Sequence, residues 1–357
     1  MTALDAPVLD FAKLEEFSGK VAGDQAAAYN AILVYLGDRL GLWRALASAG
    51  QVTSAELAER TGLARRYLQE WLAAQAANGY LIYDGPTDTF MMSVEAAAVI
   101  VEEESPSSLI PGFELIAAVW AAVDKLAHAY TTGDGVAWHE HDPRLFSAVA
   151  RFYAISYRTS LVAEWLPAVD GLIKRLESGI HVLDVGCGLG VPDILMAEAF
   201  PNSTFVGVDY HEESIRLATH AAQEAGVADR VHFKVADASR YGGEYDLILF
   251  FDAVHDMGDP VGALTNARKA LAPGGIVFAV EPYAEDSLEA NLANPIAPVF
   301  YVGSSAICIP HSIADGGAAL GAQAGPAKLI DTFRRAGFAT ARVATATTYN
   351  LVIEARD

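Results

Sequence analysis

Three glycines directly after a short apolar run restrict the fold of this 357-residue chain more than any other feature. They lie in residues 180–190, IHVLDVGCGLG, where the apolar run carries Asp184 near its end. Glycine is needed where a backbone turns with positive φ and comes close to a ligand. A segment that favours helix, PDILMAEAF, follows. We therefore predict a buried parallel strand, a tight turn and a helix N-terminus, which together form the unit of an α/β fold.

The next two apolar runs also end in acidic residues. Residues 204–208 are followed by Asp209, and the run VHFKVADAS contains Asp237 and Ala238. An acid after the second strand is placed to accept hydrogen bonds from ribose hydroxyls, and the end of the third is placed to contact a base. The dinucleotide fingerprint requires glycine where Val191 stands, and no phosphate-binding loop of the G-x-x-x-x-G-K-S/T type occurs. The pattern therefore favours an adenosyl ligand without a pyrophosphate.

Together these features resemble the class I S-adenosylmethionine (SAM)-dependent methyltransferases over residues 178–357, as do the FFDAVHD segment and the APGG turn before GIVFAVEP. The resemblance implies a seven-stranded Rossmann-like α/β domain that binds SAM and releases S-adenosylhomocysteine (SAH). Strands are expected near residues 180–185, 204–208, 231–235, 246–251, 275–281, 339–345 and 348–355. The residues that the resemblance implies for the cofactor are Asp184, Gly186, Cys187, Gly188, Gly190, Asp209, Tyr210, Asp237, Ala238, Phe251 and Asp252.

The segment after the fourth expected strand carries a histidine suited to proton transfer. Two-domain O-methyltransferases of small molecules are similar here, with a His-Asp pair at this point and a glutamate at the end of the fifth strand. His255-Asp256 and Glu281 match those features. The resemblance implies that His255 is the general base for a hydroxyl acceptor and that Glu281 orients it. An unperturbed histidine pKa suits such work near neutral pH.

Two departures leave other interpretations of His255 open. The further acid of that family has no counterpart in residues 321–327, and Phe251 stands where a basic residue is frequent. In one interpretation His255 is a structural histidine. In another it is a metal ligand together with Asp256 and Asp259. No metal is expected, because the His-x-His stretch at residues 139–142 is more typical of a solvated loop. An N- or C-methyltransferase would need no such base.

The first part of the chain, residues 1–104, predicts a mainly helical unit. Residues 24–47 have the apolar spacing of one long helix, which indicates either a subunit contact or ordinary core packing. A capping box at residues 53–56 starts the next helix, another helix spans about residues 65–78, and LIYDGPTDTFMMS predicts a hairpin. This order indicates a winged-helix dimerisation domain. The layout resembles a bacterial methyltransferase group sometimes labelled as transcriptional regulators.

The charge of the chain disfavours nucleic acid and anionic membranes as partners. The net charge is −21, and residues 1–100 carry 7 Lys and Arg against 12 Asp and Glu. A DNA-binding winged helix normally shows a basic footprint. Neither a signal-peptide pattern nor an apolar run of membrane-spanning length is recognised, so a cytoplasmic location is expected. Two cysteines without metal-type spacing predict no disulfide framework.

Two further segments are expected to shape an acceptor pocket. Residues 105–177 predict a helical connector that leads into the methyltransferase domain, residues 178–357, and an insertion precedes the last helix. The substrate candidates are Phe152, Tyr157, Tyr301 and His311, with core packing as the alternative for each aromatic. We predict SAM-dependent methyl transfer to a small-molecule hydroxyl by a homodimer. The alternatives are a SAM-responsive winged-helix regulatory protein and an N- or C-methyltransferase.

Overall fold

The computed structural model describes residues 9–357, which divide into two compact units between Ala117 and Ala118. The first unit contains helices and one small hairpin. Its elements are α1 (Phe11–Arg39), α2 (Leu42–Ala47), α3 (Ser54–Thr61), α4 (Arg65–Ala77), β1 (Ile82–Asp84), β2 (Thr89–Met91) and α5 (Val94–Ile100), and α6 (Pro111–Ala121) crosses the boundary. The helix-turn-helix-hairpin order predicted from the sequence is therefore present.

The predicted helix at residues 24–47 is in fact two helices. Helix α1 begins at Phe11 and ends at Arg39, and α2 starts after Gly41, whose φ of 68° cannot continue a right-handed helix. The capping box is present as predicted. Thr53 Oγ1 accepts from the Glu56 N–H at 3.3 Å, and Glu56 Oε2 accepts from the Thr53 N–H at 2.8 Å.

The second unit is built around one sheet with helices on both faces. Before the sheet come α7 (Val123–Thr132), α8 (Arg144–Ser156), a π-helical segment (Tyr157–Trp165) and α9 (Leu172–Ser178). The strands are β3 (His181–Val185), β4 (Thr204–Asp209), β5 (Val231–Val235), β6 (Tyr245–Phe251), β7 (Leu271–Pro282), β8 (Thr340–Ala346) and β9 (Asn350–Arg356). The intervening helices are α10 (Val191–Ala199), α11 (Glu212–Glu224), α12 (Pro260–Lys269), α13 (Leu288–Asn291), α14 (Ala297–Gly303), α15 (Ile309–Ala314) and α16 (Gly325–Arg335).

The strand order is β5-β4-β3-β6-β7-β9-β8, with β9 antiparallel to both neighbours and the other pairs parallel. The seven predicted strands are confirmed, and the chain has a Rossmann-like α/β fold. The order reverses between β3 and β6, and ligands of open α/β sheets bind beside such a point, at the carboxyl ends of the strands. We therefore expect a ligand site at the carboxyl ends of β3, β4, β6 and β7.

Alternate residues of each central strand pack into separate cores. Val182 lies in the core on one face, and Leu183 lies in the core on the other. Because both faces of these strands are buried, their sequences are continuous apolar runs rather than alternating patterns. The predicted APGG turn is instead a bulge inside β7. Tyr245 pairs with Leu271 and Leu247 with Ile276, so the four residues between them loop out of register.

The helical stretch Ala297–Ala314 is, by length and composition, long and apolar enough to cross a membrane. It is not an uninterrupted apolar run, because serines, prolines and a histidine occur within it. Part of this stretch is buried against the unit, however, including Phe300, Ile307 and His311. It is a helix of the domain that also carries side chains towards the site described next.

Candidate active site

The glycine loop adopts the backbone that its sequence predicts. Gly186, Gly188 and Gly190 have φ angles of 78°, 51° and 70°, which side chains rarely tolerate. A Cβ atom on Gly190 would lie 2.3 Å from the ring of Phe233. No atom lies within 4 Å of the Cβ position of Gly188, so this part of the loop is open to a ligand.

Asp209, at the end of β4, holds the loop in place. Its Oδ2 accepts from the Gly188 N–H at 3.0 Å, and its Oδ1 accepts from the His211 N–H at 2.8 Å. Burial raises the pKa of this carboxyl, and the two backbone N–H donors oppose the rise. The second strand end is thus joined to the glycine loop across the edge where a ligand would bind.

A cavity of about 440 Å³ opens over this loop. Most residues predicted for the cofactor or the acceptor lie on its wall. They are Tyr157, Asp184, Gly186, Cys187, Gly188, Asp209, Tyr210, Asp237, Ala238, Phe251, Asp252, Asp256 and His311. Phe146 and Tyr153, two further aromatic residues of the stretch that leads into the methyltransferase domain, also lie on the wall, as does Trp138, which the sequence did not indicate.

Some predicted residues are not brought to this wall: Gly190, His255, Glu281, Phe152 and Tyr301. Phe152 precedes Tyr153 by one helical position and packs edge-on against it, with ring centroids 5.3 Å apart. It therefore faces away from the side of α8 that meets the cavity. Tyr301 lies instead in a separate surface groove with Val123 and Tyr130.

The cavity wall is strongly acidic. Seven aspartates and no lysine or arginine lie among its described residues; the acids are Asp184, Asp209, Asp237, Asp252, Asp256, Asp259 and Asp315. Burial raises the pKa values of Asp184 and Asp252 well above their ordinary range, and it raises that of Asp256. The Asp184 carboxyl lies against the buried carboxyl of Asp193, and Oδ1 of Asp252 has no hydrogen-bond partner among the described residues. Such a wall suits a cationic ligand with donor groups.

Two tyrosines from one side of the wall face the strained end of β6. Asp252 has a φ of 51°, a conformation that non-glycine residues adopt mainly where the surroundings enforce it. Tyr157 Oη donates to Asp252 Oδ2 at 3.5 Å, and Tyr153 also hydrogen-bonds to this carboxyl. Burial raises the pKa of both phenols well above the ordinary value, so both remain protonated donors.

His255 and Glu281 form a buried pair next to the cavity. His255 Nδ1 lies 2.6 Å from Glu281 Oε2, and the carboxylate also accepts from the Val254 N–H at 3.0 Å. Burial alone would lower the pKa of His255, but charges and hydrogen bonds from Cys308 and Glu281 outweigh it and raise the pKa well above its ordinary value. The 2.6 Å distance fits a ring in which the Nδ1–H donates to the Glu281 carboxylate.

The stretch at residues 139–142 contradicts the solvated-loop interpretation in part. His139 and Glu140 are exposed, but His141 is buried and its Nε2 has no partner among the described residues. Burial, with a contribution from His311, lowers the pKa of His141 to about 4. Residues 9–357 contain no group of three side chains that could hold a metal ion.

Comparisons with known proteins agree with this geometry. A family model described as a methyltransferase domain matches residues 176–299, and one described as an Rv2258c-like winged HTH domain matches residues 28–102. The chain is 29% identical over 179 residues to 27-O-demethylrifamycin SV methyltransferase of Amycolatopsis mediterranei, which covers 48% of this chain and 57% of that protein. Across seven curated relatives, the aligned part spans 26% to 58% of the relative's length.

Two solved structures are similar over nearly the whole chain. The mitomycin 7-O-methyltransferase MmcR has a TM-score of 0.71 at 19% identity, with 98% of this chain and 100% of that chain covered. Human N-acetylserotonin methyltransferase in complex with SAM has a TM-score of 0.69 at 16% identity, with 99% of both chains covered. At these identities the likeness concerns the fold.

Proposed function

We propose that this chain, which belongs to the class I SAM-dependent methyltransferases and carries an N-terminal winged-helix domain, transfers a methyl group from SAM to a hydroxyl oxygen of a small molecule. The acidic cavity over the glycine loop carries the proposal. SAM, when bound, supplies a methyl group on a positively charged sulfonium sulfur. A wall with seven aspartates and no lysine or arginine among its described residues favours such a cation.

The residues of the cavity fit the parts of this cofactor. Asp209 keeps free lone pairs beside the open face of Gly188 and is suited to ribose hydroxyls. We assign Asp237 and Ala238, at the end of β5, to the adenine base. The carboxyl of Asp184, on the cavity wall, is suited to the cofactor's ammonium group.

The acceptor is proposed to be an uncharged or cationic aromatic molecule. Aromatic rings of Trp138, Phe146, Tyr153, Tyr157 and Phe251 supply apolar wall. An anionic acceptor would meet the carboxylates without any lysine or arginine on the wall to offset them. The relatives named above methylate oxygen according to their names, which supports a hydroxyl acceptor here.

Removal of the acceptor's proton is assigned to the His255–Glu281 pair. The pair lies at the ends of β6 and β7, beside Asp256 on the cavity wall. Glu281 fixes the ring through Nδ1 and leaves Nε2 on the other side for proton transfer. Since Asp256 follows His255 directly, we expect it to tune the charge of the pair rather than to take the proton.

The chain is further proposed to act as a homodimer through its N-terminal domain, in the cytoplasm. Helix α1 has 29 residues and buries only Asn30, Ala31, Val34 and Gly37. Large apolar side chains remain exposed along it, and they are Phe11, Leu14, Phe17, Val21, Tyr29, Ile32 and Leu36. Burial of such a face against a second copy is favourable by about 25 cal/mol per Å² of apolar surface. DNA binding is not proposed, because the domain carries no basic footprint.

The test is transfer of labelled methyl from SAM into a panel of phenols and a host metabolite extract. We expect His255→Ala to lower the rate by about 10²- to 10⁴-fold, as loss of a proton-transfer group does. The matched control is His220→Ala, because His220 is exposed on α11 and should leave the rate unchanged.

The outcomes separate the alternatives. Equal labelling by wild type and His255→Ala would keep the methyltransferase but contradict the assignment of the base, as for N- or C-methylation. SAM binding without transfer to any acceptor would favour a SAM-responsive regulatory protein instead.

A further inference from the structure

Asp252 lies on the wall of the cavity with part of its carboxylate unsatisfied. Its Oδ1 is buried and has no hydrogen-bond partner among the described residues, and its Oδ2 accepts from Tyr157 Oη at the long distance of 3.5 Å. An ionised carboxylate accepts up to about four hydrogen bonds, and a buried oxygen without a donor lowers stability. A bound molecule that brings a hydrogen-bond donor to Asp252 would remove this cost.

The backbone holds Asp252 in this position. Its φ is 51°, and its N–H donates to the Val280 carbonyl at 2.7 Å, which fixes the residue to strand β7. Asp88, in the turn between β1 and β2, has a similar φ of 53° and also accepts from a tyrosine, Tyr83 Oη, at 3.0 Å. Asp88 is exposed to water, however, whereas Oδ1 of Asp252 is buried. The unsatisfied oxygen, rather than the strained backbone, therefore indicates a ligand.

Three aromatic rings of the same wall lie beside this carboxylate. Tyr153 and Tyr157 both hydrogen-bond to Asp252, and their rings are stacked with centroids 6.3 Å apart. The ring of Phe251 meets that of Tyr157 edge-on, with centroids 5.3 Å apart. Aromatic rings attract cations, most strongly where water is excluded. This part of the wall therefore combines a negative charge with rings that favour a positive one.

A protonated amine matches both properties of this part of the wall. Its N–H groups donate to the carboxylate, and its charge is attracted by the rings and by the seven aspartates of the wall. A sulfonium group has the charge but no hydrogen to donate, so the sulfur of the cofactor would leave Oδ1 of Asp252 without a partner. The ammonium group of the cofactor is assigned to Asp184. The amine is therefore expected to belong to the acceptor.

We propose that Asp252, framed by Tyr153, Tyr157 and Phe251, binds a protonated amine of the methyl acceptor, so that the substrates are hydroxylated aromatic amines. The proposal rests on the proposed methyl transfer to oxygen and names its substrate class. It leaves removal of the hydroxyl proton with His255. It replaces the role in cofactor binding that the family resemblance implies for Asp252.

The amine and the hydroxyl are expected on the same part of the acceptor. His255 follows Asp252 by three residues, and the charges of the two groups interact. Suitable probes are therefore phenols with a short alkylamine side chain, which is protonated near neutral pH as a lysine is. Phenols with an alcohol or a carboxylate at the end of a side chain of the same length are the neutral and anionic counterparts.

The first experiment measures the Kd of each probe by calorimetry with the SAH complex of the full chain at pH 7. SAH fills the cofactor part of the cavity, so the probes report on the acceptor part. We expect the amines to bind at least about tenfold more tightly than the alcohols, and the carboxylates to bind more weakly still. Alcohols that bind as tightly as the amines, or no measurable binding of any amine, would overturn the proposal.

The second experiment repeats these measurements with Asp252→Asn. Asparagine removes the charge, keeps the size and tolerates a positive φ, so the fold should be retained. We expect the Kd of the amines to rise at least about tenfold, while those of the alcohols and of SAH change by less than about twofold. The matched control is Asp88→Asn, which makes the same change at a similar φ beside a tyrosine but away from the cavity wall, and it should leave every Kd unchanged.

Two further outcomes separate this site from the cofactor and from the reaction. If Asp252→Asn weakens the binding of SAH more than that of the amines, Asp252 serves the cofactor and the proposal is wrong. If wild-type protein binds the amines through Asp252 but transfers no methyl group to any phenol, the proposed function is contradicted while the amine site stands.

Discussion

At the scale of single residues, the acidity of the cavity follows from where strands end. Asp184, Asp209 and Asp252 each stand at or next to the carboxyl end of a parallel strand, and these ends meet at one edge of the sheet. Burial raises the pKa of all three carboxyls, and the charge of Asp209 further raises that of Asp184. The site therefore gains negative charge as the pH rises.

This charge predicts how the cavity distinguishes SAM from SAH. The two ligands share their other groups, but only SAM carries the sulfonium charge. Because burial raises the pKa values of Asp184, Asp252 and Asp256, these groups deprotonate only as the pH rises. We expect the affinity for SAM relative to SAH to increase with pH as these carboxyls ionise, by about tenfold, which corresponds to about 1.4 kcal/mol. Calorimetry with both ligands measures the ratio, and a constant ratio would contradict the prediction.

At the scale of elements, sequence patterns predict what depends on local chemistry. The seven strands, the capping box at Thr53 and the glycine loop follow from apolar runs, caps and turn residues. The sequence pattern does not indicate the break between α1 and α2 at Gly41, because an alanine-rich apolar pattern continues through it. Tyr153 lies one helical turn before Tyr157, a spacing that predicts that the two tyrosines share one face.

Other elements depend on contacts that are distant in sequence. Gly321 gives no pattern of its own, yet its N–H donates to the His255 carbonyl at 2.9 Å and its backbone packs against Ser304 and Ile309. The sequence around His141 predicts a solvated loop. In the structure His141 is buried, with Trp138 and His311 beside it. Such burial is set by tertiary packing, which periodicity does not report.

The turn between β3 and α10 gives a prediction with a control in the same chain. Gly190→Ala introduces both a strained φ of 70° and a contact of 2.3 Å with Phe233, whereas Gly226→Ala introduces a φ of 71° with no atom within 4 Å. We expect Gly226→Ala to lower the free energy of unfolding by about 1 kcal/mol and Gly190→Ala by about 2–4 kcal/mol. Denaturant titration measures both free energies of unfolding. Equal losses in the two variants would show that the Phe233 ring moves aside without destabilising the protein.

At the scale of the whole molecule, the exposed face of α1 predicts the assembly state. Tyr29 and Ile32 are 75% and 63% exposed, so a charge at either position should be tolerated by an isolated subunit. In a dimer that buries this face, Ile32→Asp would leave an unpaired charge against apolar surface and cost several kcal/mol of association. We expect Ile32→Asp to be a folded monomer by light scattering, while the control Gln25→Asp stays dimeric. A wild-type monomer would refute the proposed interface.

The position of β9 has a consequence for how the site comes into being during synthesis. Although β9 is the last strand in chain order, it lies inside the sheet between β7 and β8, and Glu281 is in register with Leu351. The strand that carries Glu281 thus stays an unpaired edge until residues 350–356 have left the ribosome. A nascent chain that already has its glycine loop therefore still lacks the strand β9 that pairs with β7 and holds Glu281 in place. Chains cut short before β9 are therefore expected to lack a firmly held Glu281, and with it a fixed His255 ring, however much of the cofactor cavity they have formed.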